Sequence, residues 1–108
     1  MRKYKINYLP VVKEDITDII LYISEHLSAP EAAMDLLEPL DASISLLQNF
    51  PYYYKLFRGI KPLDEEYRLL PVKNYVVFYV VREHEKIVEI HRVIYSKIDL
   101  NRIIKNSV

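Results

Sequence analysis

The chain has no cysteine, no tryptophan and a single glycine, Gly59, in 108 residues. Without cysteine there is neither a disulfide framework nor a thiolate metal site, which fits a reducing compartment. One glycine cannot build a phosphate-cradling loop, so nucleotide chemistry of that kind is excluded. Gly59 itself marks a required bend. No apolar run approaches the ~18 residues needed to span a bilayer. The opening stretch, MRKYKINYLP, is too short and too polar for a signal peptide, and the chain reads as cytoplasmic. Formal net charge is zero, whereas nucleic-acid binders are usually basic. The three histidines, His26, His84 and His91, fall on different elements without ligand spacing. No metal and no cofactor is predicted. The serines show no nucleophile motif.

What is present is apolar and regular. Hydrophobic residues make up 51%, enough for the core of one domain spanning residues 1–108. Charge is uneven along the chain. Residues 1–51 carry four basic against eight acidic side chains, and residues 52–108 carry eleven against seven. An acidic helical half and a basic sheet half follow, and the basic half suits an acidic partner or a phosphate backbone.

The most ordered stretch runs from Tyr67 to Asp99. β-Branched and aromatic residues dominate it, and turn or charged residues bound each run. Strands are predicted over Tyr67–Val72, Tyr75–Arg82 and Ile87–Tyr95. The turns, Lys73-Asn74 and Glu83 to Lys86, are too short for parallel crossovers, so the three form an antiparallel meander. Tyr75 to Val81 lacks polar alternation, as a strand covered on both faces does.

Upstream, Lys3 to Leu9 alternates Tyr4, Ile6 and Tyr8 with polar residues, as a half-buried strand does. Pro10 stops it and opens a helix, with Glu14 and Asp15 early in it. Val12, Ile16, Ile19, Ile20 and Ile23 give that helix one apolar stripe. Ser28, Pro30 and Glu31 read as a capping box starting a second helix. Its inner side carries Ala33, Leu36, Leu37, Leu40, Ile44, Leu47 and Phe50. Pro39 predicts a kink near Asp35 to Leu40, and Asn49-Phe50-Pro51 ends the helix. Tyr52-Tyr53-Tyr54 reads as a packing plug rather than a ligand platform, and Asp64-Glu65-Glu66 as a solvated turn. Ile98 to Lys105 has helical spacing and predicts a short C-terminal helix. The fold class is α+β: an N-terminal strand, an αα hairpin packed on a four-stranded antiparallel sheet, and the terminal helix. No helix is left to cover the sheet's second face, which is therefore expected to stay open for binding.

One constellation carries possible chemistry: Arg68, Lys73, Arg92, Tyr95 and Lys97, with His91. These residues can hold a phosphate and supply a proton donor, as RNA cleavage requires. Alternatively, Arg68 and Arg92 pair with strand acids such as Glu89 and solvate the face. Arg92 and Tyr95 lie three apart on one strand and point to opposite faces unless a bulge near Ile94 re-aims one.

The order of elements, with Tyr67-Arg68-Leu69-Leu70, Lys73-Asn74-Tyr75, Phe78-Tyr79-Val80 and Ile90-x-Arg92-Val93-Ile94-Tyr95, resembles the RelE/ParE superfamily of bacterial type II toxin–antitoxin toxins. The resemblance covers roughly residues 3–99. It implies a growth-inhibiting, plasmid-stabilisation type toxin neutralised by an antitoxin whose C-terminal segment wraps it. RelE-like members cleave mRNA in the ribosome, and ParE-like members inhibit DNA gyrase. Arg68 fits the first cationic position of the nucleases, but Leu70 and Val76 stand where two more cations are common. Tyr95, with Lys97 nearby, stands at the last. Fewer cations mean less transition-state stabilisation, so the ParE-like reading is favoured over an mRNA endoribonuclease or a non-toxic protein-binding module. For a nuclease the candidate catalytic residues are Arg68, His91, Arg92, Tyr95 and Lys97. For contact with antitoxin or target they are Arg68, Lys73, Arg92 and Lys97. The antitoxin segment is expected to be acidic and partly apolar and to lie on the open sheet face. Arg92→Ala is expected to lower toxicity without unfolding the domain.

Overall fold

Pro10 decides how the chain enters its helical half. It ends strand β1 (Lys5–Tyr8) and stands at the first position of helix α1 (Pro10–Leu21), where its missing N–H costs nothing. The computed structural model describes residues 3–58 and 65–97. A π-helical turn, Tyr22–His26, follows α1, and helix α2 spans Pro30–Leu46. Strands β2 (Arg68–Val72), β3 (Tyr75–Arg82) and β4 (Ile87–Tyr95) complete the order.

The sheet runs β1-β4-β3-β2. The meander is antiparallel as predicted. β1, however, pairs with β4 in parallel, from Lys5 opposite Ile87 to Tyr8 opposite Ile90. The sheet is therefore mixed, not antiparallel throughout. The helical hairpin, β2 and β3 lie between the two strands in sequence, ample length for the crossover that a parallel pair needs. Turn length bears only on neighbours in sequence, so it left this edge undetermined.

α1 and α2 lie on one face. Val12, Leu40, Ile44 and Leu47 meet Leu70, Val77, Tyr79, Val88, Ile90 and Val93 there, all buried. Each such side chain contributes about 1.5–3 kcal/mol by leaving water. Tyr79 is wholly buried, and its hydroxyl donates to the Pro51 carbonyl at 2.8 Å. Burial pushes that phenol up to about 12.

The second face is not open. Tyr67, Val76, Phe78, Val80 and Ile94 form a buried cluster on it, with Phe57 and Leu69 packed alongside. The Phe57 and Tyr67 rings lie edge-on to Phe78 at 5.4 and 6.1 Å. Irregular chain does what a helix does elsewhere, because apolar rings bury a strand face whatever their backbone.

Ser28 makes no capping bond; Ala29 is the N-cap, and Ser28 holds φ 50, the left-handed turn that ends a helix. α2 continues through Pro39 as one helix and ends at Leu46, short of Phe50. Tyr54 packs on the core, but Tyr52 and Tyr53 are exposed, so only a third of the plug is a plug. Glu65 is ion-paired with Arg82 rather than merely solvated. Gly59 and the predicted helix over 98–105 lie outside the described residues.

Candidate functional site

The predicted constellation is split by a bulge in β4. Phe78 opposes Arg92 and Tyr79 opposes Ile90, so His91 is the extra residue. The bulge lies three residues before Ile94, and it switches which residues face the helices. Before it Val88 and Ile90 do so; after it Val93 does.

Arg92 is anchored by its own chain. β1 stops opposite Ile90, where the Leu9 N–H donates to the Ile90 carbonyl at 3.0 Å. Beyond that point the edge of β4 has no neighbouring strand among the described residues. The carboxylate of Asp15, on α1, takes over. It accepts from the Val93 N–H at 3.0 Å and from Arg92 Nε and Nη2, each at 2.8 Å. The Asp15 carboxylate raises the Arg92 guanidinium above its ordinary value. Arg92 is thus a clamp between sheet and helix. Arg92→Ala is therefore expected to weaken the fold without unfolding the domain: its partner Asp15 is only 10% exposed at the side chain, and a charge there loses its counter-ion.

His91 faces the other way. Its ring lies 5.2 Å from that of Tyr67, and Nε2 is 2.8 Å from the Glu89 carboxylate. Arg82 binds both Glu89 and Glu65. The Arg82 bonds hold the Glu65 carboxyl below its ordinary value. For Glu89, burial pushes upward, but hydrogen bonds from His91 and Arg82 outweigh it and the net shift is down. Glu65, Glu89 and His91 offer ligand atoms within 4.8 Å of one another. The Arg82 guanidinium already joins the two carboxylates, so this set holds a cation of its own. A metal would have to displace a fixed cation.

Arg68 lies on the edge strand β2, opposite Tyr79, which in turn opposes Ile90, so one strand, β3, separates it from β4. Its Nη1 donates to the Tyr54 carbonyl at 2.7 Å, and its guanidinium sits 5.0 Å from the centre of the Tyr52 ring. Tyr52 and Tyr4 both donate to Glu83 at 2.6 Å, and Lys86 pairs with the same carboxylate. Burial, then the Glu83 bond, raises the Tyr52 phenol to about 12. Lys86 and the two tyrosines lower Glu83 to about 2.

Tyr95 lies on the helix side, its ring 5.7 Å from that of Tyr75, which packs on the helix-face core. Lys73 and Lys97 are exposed. Of the predicted residues, the structure brings only Lys73 and Tyr95 to one groove, beside Asp15, and does not gather the set into a single site. Arg68 is on the β2 edge, His91 on the far face, Arg92 at the β4 edge and Tyr95 at the groove on the helix side. The sequence reading missed Asp15 and Arg82, the partners that disperse the set. Arg82 directly opposes Ile87 and lies two register steps from Glu89 across β3 and β4, a signal readable once pairing is known. Asp15 gave no such signal.

The family model of the ParE toxin of the type II toxin–antitoxin system, parDE, matches residues 6–100. The chain belongs to this family. No curated protein matches it. The ParE match takes in both helices and all four strands save Lys5, the first residue of β1, and membership makes this a type II toxin with a cognate antitoxin as its partner. Among the described residues no helix is long and apolar enough to cross a membrane.

Proposed function

We propose that this ParE-family chain arrests growth by binding DNA gyrase, not by cutting RNA, and that its antitoxin blocks this action. The observation that carries the reading is the dispersal of Arg68, His91, Arg92 and Tyr95, four of the candidates for RNA cleavage. Scission of a phosphodiester needs a base, an acid and cations within hydrogen-bond reach of one phosphate. Arg92 is held by Asp15, His91 by Glu89, and Arg68 by the Tyr54 carbonyl. Tyr95 is across the sheet from His91. Such an arrangement supports a surface that acts by contact.

The test is induction of the chain alone, then together with its neighbouring gene. Arrest with intact mRNA, an induced DNA-damage response and loss of supercoiling by purified gyrase supports the proposal. Rapid codon-dependent mRNA cleavage overturns it in favour of a ribosome-dependent endoribonuclease. No arrest at all leaves a protein-binding module of the same fold.

A further inference from the structure

A groove of about 890 Å³ opens between the helical hairpin and the end of the sheet where β2 turns into β3 and β4 ends. Its hairpin wall is apolar, with Ile19, Ile23 and Leu36, and carries Asp18 and Asp35. Its sheet wall carries Tyr75, Tyr95 and Lys73, and Tyr22 stands at the rim. Tyr22 is 54% exposed and Tyr95 38%, so aromatic area faces the opening. Burial raises the Tyr75 phenol, and Tyr95 and Tyr22 add to the rise, as rings around one space do. The π-helical turn helps to build this wall. Its wider winding, closed by the Leu27 N–H on the Tyr22 carbonyl at 3.2 Å, turns Ile23 inward against Ala33 and Leu36 while Tyr22 stays outside.

The charges in the groove have one unbalanced sign. Asp15 also lines it but is satisfied by Arg92 and the Val93 N–H. Asp18 and Asp35 have no ion-pair partner among the described residues, and Lys73 is the single lysine or arginine against them in the lining. Carboxylates beside tyrosine rings attract a guanidinium or ammonium twice, by charge and by the ring quadrupole. The sheet's other face, where an acidic segment was expected, is covered by Phe57 and Tyr67.

We infer that this groove receives a basic, apolar segment of the antitoxin, seating an arginine or lysine between Tyr22, Tyr95 and the carboxylates of Asp18 and Asp35. The inference rests on the proposed pairing with an antitoxin, and it reverses the polarity expected from the charge of the two halves. Apolar neighbours of the cation fill the floor against Ile19 and Leu36. Lys73, on the opposite wall, rejects a second cation and favours an acceptor there. This sets both orientation and selectivity.

A labelled peptide of alternating leucine and arginine, and its counterpart with glutamate for arginine, are titrated against the full chain by fluorescence anisotropy. The arginine peptide should bind at least about tenfold more tightly, as opposed charge at a partly desolvated site requires. Asp18→Asn with Asp35→Asn should abolish most of that preference, and Lys55→Glu, an exposed control distant from the groove, should not. Both aspartates are exposed, so the double variant keeps its circular dichroism spectrum. Equal binding of the two peptides, or a preference that survives the double variant, overturns the inference. In cells, the neighbouring gene should relieve arrest by the parent chain but not by Asp18→Lys with Asp35→Lys. Equal relief overturns it too. Absence of arrest by the parent chain strikes the toxin reading instead, and the peptide titration still decides the groove.

Discussion

Replacing Asp15 by alanine removes three hydrogen bonds at once. Two come from the Arg92 guanidinium at 2.8 Å and one from the Val93 N–H at 3.0 Å. The orphaned backbone donor alone costs about 1–3 kcal/mol if buried. Removing one partner of a fully buried ion pair costs about 3–5 kcal/mol. Here the side chains are 18% and 10% exposed, so water recovers part of both losses. We expect Asp15→Ala to cost about 3 kcal/mol, a large share of the ~5–15 kcal/mol that stabilises a domain. Asp15→Asn keeps an acceptor for Val93 and should cost about half as much. Arg92→Ala leaves Asp15 its backbone donor and access to water, and should cost about 1–2 kcal/mol. The Asp15→Ala/Arg92→Ala double variant should then cost less than the two singles added. Urea unfolding followed by far-ultraviolet circular dichroism and tyrosine fluorescence measures this. The chain has ten tyrosines and no tryptophan to mask them. An Asp15→Ala variant within about 0.5 kcal/mol of the parent, at unchanged denaturant dependence, would refute the clamp.

Three further outcomes follow from the same structure. Ser28→Gly should stabilise by about 0.5 kcal/mol, a melting rise of about 3 °C, because φ 50 strains any residue with a Cβ and the glycine's extra unfolded freedom offsets only part of that; an unchanged or lower melting temperature counts against it. Tyr79→Phe should cost about 1–1.5 kcal/mol by leaving the Pro51 carbonyl without its donor, and a neutral result in thermal unfolding would mean that water replaces the hydroxyl. The folded-state values of Glu65, Glu83 and Glu89 lie below the ordinary 4.5, so their contribution is complete above that pH and is lost as pH falls, for Glu83 through about 2. Stability measured across this window should drop on acidification, and less so in Glu83→Gln; identical profiles would show that the Lys86 and tyrosine contacts do not persist in solution.

Local chemistry fixed what depends on near neighbours. The alternation of Tyr4, Ile6 and Tyr8, the stop at Pro10 and the bare apolar run after Tyr75 gave β1, α1 and β3 from the sequence alone. The bounds of β3 and β4 match the structure, because side-chain period and turn residues act within a few positions. The family resemblance was legible for the same reason, since it rests on short runs in a given order. What pairing and packing decide was not legible. The parallel joining of β1 to β4 depends on where a crossover lands, which no turn signal encodes. His91, Arg92 and Tyr95 are neighbours on one strand, yet a single extra residue sends them to three environments. Asp15 looked like a dipole-favoured acid in an early turn, and became the partner of a strand edge 77 positions away. The acidic groove joins residues of the hairpin to residues of the sheet. Its walls are distant in sequence, so only the tertiary structure brings their charge and aromatic area together.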